Sequence, residues 1–242
     1  MAEIKDRILR CACSLYLQEG LEGLSMRKLA GEVGVTAPAL YRHYASKEEV
    51  LADVVREAYR EFTAHLYRAL GEPTPLARFL QAGEGYLDFA LRHPRWYELL
   101  FMPPDQLGMH ELPDDLTAQG CAIHQFWVDR VRECMDAGLL KEGDPTQVSL
   151  SLWAHAHGMV TLYHHGHLQV EEEAFRRMFE MSGAFMFMGV GTEAMMEELE
   201  RRLGEMNPVE IGWSASGRAW GLQASSEAPD RVVERAEGRE TG

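Results

Sequence analysis

Polar side chains suited to contacting a nucleic acid are concentrated between Thr36 and Lys47, in the segment TAPALYRHYASK. Lysine and tyrosine hold phosphate groups, which positions a protein on a duplex. An arginine can also form a bidentate pair with guanine in a major groove. We therefore assign phosphate contacts to Tyr41 and Lys47, and leave Arg42 equally open to a guanine or a phosphate. His43 is equally open to a phosphate contact or to packing.

A second group of chemically capable side chains is a histidine cluster at 155–167: His155, His157, His164, His165 and His167. His164 and His167 share a helix face, but no carboxylate or cysteine lies at a recognised ligand spacing, and HExxH is absent. The sequence also lacks GxSxG, P-loop and GxGxxG motifs. We expect no metal, no cofactor and no enzymatic activity. A metal-dependent enzyme that uses this cluster is the alternative.

Two short helices separated by a glycine turn must position the first group. Ser25 is an N-cap candidate, and Gly34 follows the apolar stripe of the first helix, where a left-handed residue ends helices. Thr36 is expected to cap the second helix, with Pro38 in its first turn. With Leu40 facing the core, Tyr44 falls on the same face, whereas Pro38, Tyr41 and Arg42 face outward. This is the arrangement of a helix-turn-helix.

Helices on both sides complete the N-terminal region. The apolar spacing predicts helix 1 over 2–19 and a long helix 4 over 46–70, capped by Ser46 with Glu49 in a capping box. The pattern LSMRKLAGEVGVTAPALYRHYASKEEVL, at 24–51, resembles the N-terminal domain of tetracycline-repressor-type (TetR family) regulators. The resemblance covers residues 4–70. It implies an all-helical homodimer that binds a palindromic double-stranded DNA operator under the control of a small molecule.

The same resemblance implies where the DNA contacts lie. We predict them at Ser25, Met26, Arg27, Thr36, Ala37, Pro38, Ala39, Tyr41, Arg42, His43 and Lys47. Alanines cannot hydrogen-bond a base through their side chains, so Ala37 and Ala39 are limited to methyl contacts with thymine.

The remainder is expected to form a helical body over 71–205. The segment LWAHAHGMVTLYHHG resembles a C-terminal ligand-domain subtype of the same family, marked by Trp153, His157 and Gly158. It implies that helices 145–166 and 171–190 form the dimer interface; packing of those side chains within one chain is the alternative.

Aromatic residues of the body predict an apolar effector site. The candidates are Tyr86, Phe89, Trp96, Phe101, His124, Trp127, Trp153 and His157. Gly83 and Gly85 could leave space beside the ligand. Each aromatic candidate could instead belong to the plain core.

The charge is distributed unevenly. The chain of 242 residues has a net charge of −14, yet residues 1–47 carry seven bases and five acids, and the remainder 17 bases and 33 acids. DNA would be repelled everywhere except at the N-terminal head. The four cysteines form no CxxC pair, and no apolar run approaches a membrane helix or signal peptide. A cytoplasmic location without membrane association is expected.

These observations predict an all-α chain with three parts. A three-helix DNA-binding head at 1–47 is joined by helix 4 to a ligand-binding and dimerisation body at 71–205, and 206–242 is expected to be a disordered tail. The predicted function is a ligand-responsive transcriptional regulator. It is expected to be a repressor that a small apolar or aromatic effector releases from its operator. A ligand-free architectural DNA binder is a further alternative.

Overall fold

The computed structural model describes residues 2–205, so the predicted tail at 206–242 lies outside the described residues. The described part contains ten α-helices, one 3-10 helix and an isolated bridge between Leu140 and Gly191. For residues 2–205, the prediction of an all-helical fold is confirmed. None of the described helices is long and apolar enough to cross a membrane.

Three helices form the N-terminal head: α1 (Ala2–Gly23), α2 (Met26–Val33) and α3 (Ala37–Tyr41). The Ser25 side chain accepts a hydrogen bond from the Lys28 amide and caps α2. Gly34 ends α2 at φ 75°, in the left-handed region that favours glycine. The predicted N-cap at Ser25 and the predicted helix end at Gly34 therefore mark the two ends of α2.

The long α4 (Lys47–Leu66) continues the head into the body and ends in a 3-10 helix (Tyr67–Gly71). Its 20 residues span about 30 Å at ~1.5 Å per residue. The apolar stripe predicted for this helix is buried through Leu66, but Leu70 is exposed because the chain has already left the α-helical period.

Six helices follow α4. They are α5 (Pro75–Arg92), α6 (Pro94–Leu100), α7 (Asp114–Asp136), α8 (Pro145–His164), α9 (Glu172–Val190) and α10 (Glu193–Glu205). Asp144 caps α8 by accepting a hydrogen bond from the Thr146 amide at 2.8 Å. One continuous hydrophobic core includes buried residues from α1 to α9. The head and the body are therefore not separated by a solvated linker.

Gly85 permits a close approach of α5 to α4. A Cβ atom built at position 85 would lie 2.6 Å from the His65 carbonyl oxygen, closer than real Cβ contacts come. The expectation that Gly85 leaves space for a ligand is wrong, because the α4 backbone fills that space. At Gly83, one half-turn away, an added Cβ would meet nothing within 4 Å.

Candidate nucleic-acid interface and ligand cavity

The exposed face of α3 rests on two buried anchors. Leu40 is 0% and Tyr44 2% exposed, whereas Tyr41 is 51% exposed. Pro38 and Arg42 are exposed as well. The structure therefore gives these residues the orientation that the helical spacing predicted, with the hydroxyl of Tyr41 and the guanidinium of Arg42 available to a partner.

The anchor at Tyr44 is tied to α4 and α7 through charged groups. Its hydroxyl donates to Asp53 at 2.7 Å, and burial, followed by this hydrogen bond, raises the pKa of the phenol. Lys5 lies 3.4 Å from the same carboxylate and 5.0 Å from the Tyr44 ring centroid. Arg56 joins Asp53 at 2.5 Å to Asp115 at 2.6 Å. This network fixes the orientation of α3 on the long helix.

The N-terminus of α3 offers few free backbone donors. The Thr36 hydroxyl accepts from the Ala39 amide at 3.4 Å, and Pro38 has no amide proton. A phosphate at this end would therefore depend on side chains more than on the helix terminus.

The start of α4 is capped as predicted, with one difference in detail. The Ser46 hydroxyl accepts from the Glu49 amide at 3.3 Å, but the Glu49 carboxylate accepts from the Ala45 amide at 2.6 Å and not from that of Ser46. Lys47 donates to the Leu21 carbonyl at 3.0 Å. Since an ammonium has three donors, this bond positions Lys47 between α1 and α4 and leaves donors for phosphate.

The remaining predicted DNA contacts differ in their exposure. Arg27 is exposed at the start of α2, Met26 beside it is half-buried, and Ser25 is exposed while its hydroxyl caps the helix. His43, Ala37 and Ala39 are half-buried.

A cavity of about 200 Å³ lies among α4, α6, α7 and α8. Its lining includes four of the predicted ligand residues, Phe101, His124, Trp127 and Trp153. The other lining residues are Tyr59, Phe62, Leu100, Gly120, Ile123 and Ser149. Half of the eight predicted ligand residues therefore lie together around this cavity.

A buried polar network lies beside the cavity. The Tyr86 and Tyr97 hydroxyls are 2.7 Å apart, and Nδ1 of His157 lies 2.7 Å from the Tyr97 hydroxyl. The His157 ring also contacts the cavity residues Phe101 and Trp153, with ring centroids 4.6 and 5.6 Å apart. Tyr86 and His157 therefore lie behind the wall of the cavity and support it.

The other two predicted ligand residues are placed elsewhere. Phe89 is fully buried against Phe62, at a ring distance of 4.9 Å. Trp96 stacks on Tyr16 of α1 at 5.7 Å, and the Tyr16 hydroxyl donates to the Arg95 carbonyl at 2.9 Å. Neither Phe89 nor Trp96 lines the cavity; Trp96 joins α6 to the head instead.

Several lining residues were not among the predicted ligand residues. Tyr59 and Phe62 lie on α4, and Phe62 belongs to the stripe whose spacing predicted only burial. Ser149 is small and polar, and nothing in its sequence neighbourhood distinguishes it from the exposed Ser151. Its burial follows from the packing of α8 on α7, so sequence patterns contain no signal for it.

The five histidines at 155–167 are not gathered at one point: among the described residues, no group of three or more His, Cys, Asp or Glu side chains lies together. Nε2 of His155 lies 3.0 Å from the Ser182 hydroxyl, while His165 and His167 are exposed. Burial lowers the pKa of His155, His157 and His164, which favours neutral rings. The histidines of the cluster therefore have different surroundings: some are half-buried and packed or hydrogen-bonded, and others lie at the surface.

Two family models match the chain. The model described as "Bacterial regulatory proteins, tetR family" matches residues 8–54, and "Tetracyclin repressor-like, C-terminal domain" matches residues 79–185. The first covers the helix-turn-helix, and the second covers most of the helices that surround the cavity.

One curated protein and two solved structures are similar to this chain. The HTH-type transcriptional repressor KstR2 of Mycolicibacterium smegmatis is 23% identical over 135 residues, which cover 54% of this chain and 65% of the repressor. The match therefore spans just under two thirds of that relative. A protein of unknown function from Rhodococcus sp. RHA1 has a TM-score of 0.68 and 26% identity, covering 78% of this chain and 96% of that one.

The second solved structure is AibR in complex with isovaleryl coenzyme A and operator DNA. It has a TM-score of 0.57 and 21% identity, and the match covers 74% of this chain and 97% of AibR. This degree of similarity establishes a common fold. The two family models, one for the head and one for the body, both describe tetracycline-repressor-type regulators. The chain belongs to the tetracycline-repressor (TetR) family of transcriptional regulators.

Proposed function

We propose that the protein is a homodimeric, ligand-responsive repressor that binds a palindromic operator and is released by a small apolar or aromatic effector. The observation that carries this proposal is the exposed face of α3, where Tyr41 and Arg42 project from a helix anchored by Leu40 and Tyr44. The proposed division is a head at 1–47, α4 as connector and a body at 71–205.

Three side chains carry the proposed DNA contacts. Arg42 reads a guanine or binds phosphate, and Tyr41 and Lys47 hold the backbone of the operator. The bond from Lys47 to the Leu21 carbonyl supports this role, because it restricts the position of the ammonium before DNA arrives. The acidity of residues 48–242 favours binding through the head alone.

The uncovered faces of α8 and α9 support a homodimer. Only Ser149 and Val160 of α8 and only Phe175 of α9 are buried in the single chain. Apolar side chains remain exposed on both helices: Leu150 44%, Leu162 44%, Phe185 48% and Met188 55%. Exposed apolar patches on adjacent helices mark protein interfaces, and a second copy of the same faces would complete a four-helix contact. Trp153, His157 and Gly158 on α8 are the basis for assigning the body to the Trp/His-Gly subtype.

The effector site proposed here is the 200 Å³ cavity. Tyr59 and Phe62 line it from α4, whose first turn carries Lys47. A ligand that prefers one position of α4 would shift the population of head spacings by its difference in affinity for the two states. The AibR complex is a precedent within the fold for a protein that holds both a small molecule and operator DNA.

Fluorescence anisotropy with DNA selected from a random library tests the DNA-binding part of the proposal. Arg42→Ala should weaken operator binding by about 5- to 150-fold if a guanine contact worth ~1–3 kcal/mol is lost. Arg68→Ala, which removes an exposed arginine of the 3-10 helix that follows α4, is the matched control. A phosphate-only role would instead reduce affinity for all sequences and lower the salt slope by about one. Equal affinity of Arg42→Ala and wild type for the operator would contradict the proposal.

Sedimentation equilibrium tests the proposed interface. Phe185→Arg places a charge in the α8–α9 face and should convert dimers to monomers, with loss of operator binding. Leu70→Arg changes an equally exposed apolar residue of the 3-10 helix and should leave the dimer intact. A dimer that survives Phe185→Arg but not Leu70→Arg would assign the interface to a different face.

A further inference from the structure

The helix that presents Tyr41 and Arg42 has a weak hold on its own angle. α3 is five residues long, and only Leu40 within it is buried. Burial of an apolar side chain is non-directional, so it holds α3 to the core without fixing the rotation of the helix about its axis. A rotation of about 10° moves a group ~6 Å from the axis by about 1 Å, whereas binding groups need placement within ~0.5 Å. A directional contact must therefore set the angle.

One directional contact of this kind reaches α4. Among the side chains of residues 36–44, all of which the structure describes, only the Tyr44 hydroxyl hydrogen-bonds outside the segment, to Asp53 at 2.7 Å. The Tyr44 amide donates to the Leu40 carbonyl at 3.1 Å, so the backbone links Tyr44 to the last turn of α3. The angle of α3 therefore depends on how firmly the Asp53 carboxylate is held.

The Asp53 carboxylate is held by ion pairs that end on the body. Arg56 donates through Nη1 to Asp53 at 2.5 Å, and through Nε and Nη2 to the two oxygens of Asp115 at 2.6 and 2.9 Å. A bidentate pair fixes the plane of the guanidinium. Asp115 lies in the first turn of α7, next to the fully buried Leu116. The hydrogen bond from Arg56 lowers the pKa of Asp115, which keeps the carboxylate ionised.

We propose that Asp115, although it lies in the body, is a positioning residue for DNA recognition: through Arg56 and Asp53 it fixes the angle at which α3 meets the operator. A carboxylate by itself repels DNA. The electrostatic effect of Asp115 on DNA binding and its positioning effect therefore have opposite signs, which makes them separable. The inference rests on the proposed function for the face of α3 that contacts DNA.

Fluorescence anisotropy of the full chain with two duplexes separates these effects: the selected operator and a random sequence of the same length. Asp115→Asn removes one negative charge and the bidentate pair. It should weaken operator binding about 3- to 10-fold, the loss expected for one hydrogen-bonded contact, and leave binding to the random duplex unchanged or tighter. Asp114→Asn removes the same charge from the preceding exposed residue of α7 and is the control, which should weaken neither.

Tyr44→Phe tests the other end of the same set of contacts. Removal of the hydroxyl should weaken operator binding by a similar factor. The double variant Tyr44→Phe/Asp115→Asn should bind no more weakly than Tyr44→Phe alone, because Asp53 then has no hydrogen bond through which to orient α3.

The inference would be overturned if Asp115→Asn bound the operator as tightly as Asp114→Asn, if it weakened both duplexes equally, or if the two single effects multiplied in the double variant. These outcomes are independent of the contact proposed for Arg42. Arg42→Ala with the operator affinity of wild type would reject that contact, whereas the comparison of Asp115→Asn with Asp114→Asn would still decide the role of Asp115.

Discussion

The contact of Gly85 with the α4 backbone gives a sharp test of the packing. Replacing Gly85 by alanine places a Cβ 2.6 Å from the His65 carbonyl oxygen and 3.1 Å from the His65 carbonyl carbon. These are backbone atoms of a buried helix, so they cannot rotate away as the end of a side chain could. Either α4 and α5 move apart or both helices distort.

Two contributions set the expected change in the free energy of unfolding. Alanine is favoured over glycine in a helix interior by about 1 kcal/mol, and overpacking a well-packed contact costs about 1–3 kcal/mol or more. Because backbone lies against backbone here, we take the upper part of that range. Gly85→Ala should then lower the free energy of unfolding by about 2 kcal/mol. Gly83→Ala, where the added Cβ meets nothing within 4 Å, should raise it by about 1 kcal/mol.

Thermal and urea unfolding of the two variants measure this difference. A gap of about 3 kcal/mol corresponds to roughly 6–12 °C in Tm for a folded chain of this size. Protomer concentration must be held constant, because association raises the apparent stability. If Gly85→Ala were as stable as Gly83→Ala, the close α4–α5 approach would not exist in solution, and the reasoning would be refuted.

Three further predictions follow from single contacts. Tyr16→Phe removes the hydrogen bond to the Arg95 carbonyl and should cost about 1 kcal/mol in urea unfolding; an unchanged midpoint would contradict the coupling of α1 to α6. Ser149→Ala should instead stabilise the ligand-free protein by about 1 kcal/mol, because it removes an unpaired buried hydroxyl from a helix, and a loss of stability would mean that the hydroxyl has a partner. Burial lowers the pKa of His157, so below about pH 6.5 the unfolded chain binds more protons. Stability should therefore fall as the pH drops below about 6.5, and less steeply in His157→Asn; equal slopes in urea titrations would refute this assignment.

Local features of the fold were predictable because they depend on neighbouring residues. Ser25, Thr36, Ser46 and Asp144 cap helices through their own side chains. These interactions span two or three residues, so sequence spacing contains all the information that they need. The outward orientation of Tyr41 and Arg42 followed in the same way from the helical period.

The lining of the cavity was only half predictable. Aromatic composition indicated Phe101, Trp127 and Trp153, which do line the cavity, but it gave the same weight to Phe89 and Trp96, which pack elsewhere. A large apolar side chain in a core and one in a pocket wall have the same sequence signal. What distinguishes them is whether another helix fills the space in front of the ring.

The sequence by itself determined the helical class of the chain and the outward-facing side of α3, because short-range capping and helical periodicity specify them. Only the tertiary structure decided the details that depend on distant segments. It closed the space beside Gly85 with the backbone of α4, tied Lys47 to the Leu21 carbonyl, and buried the hydroxyl of Ser149 in an apolar wall without a partner. The physical reason is that burial is a property of how helices pack together, and one residue's neighbours in the chain do not specify its neighbours in space.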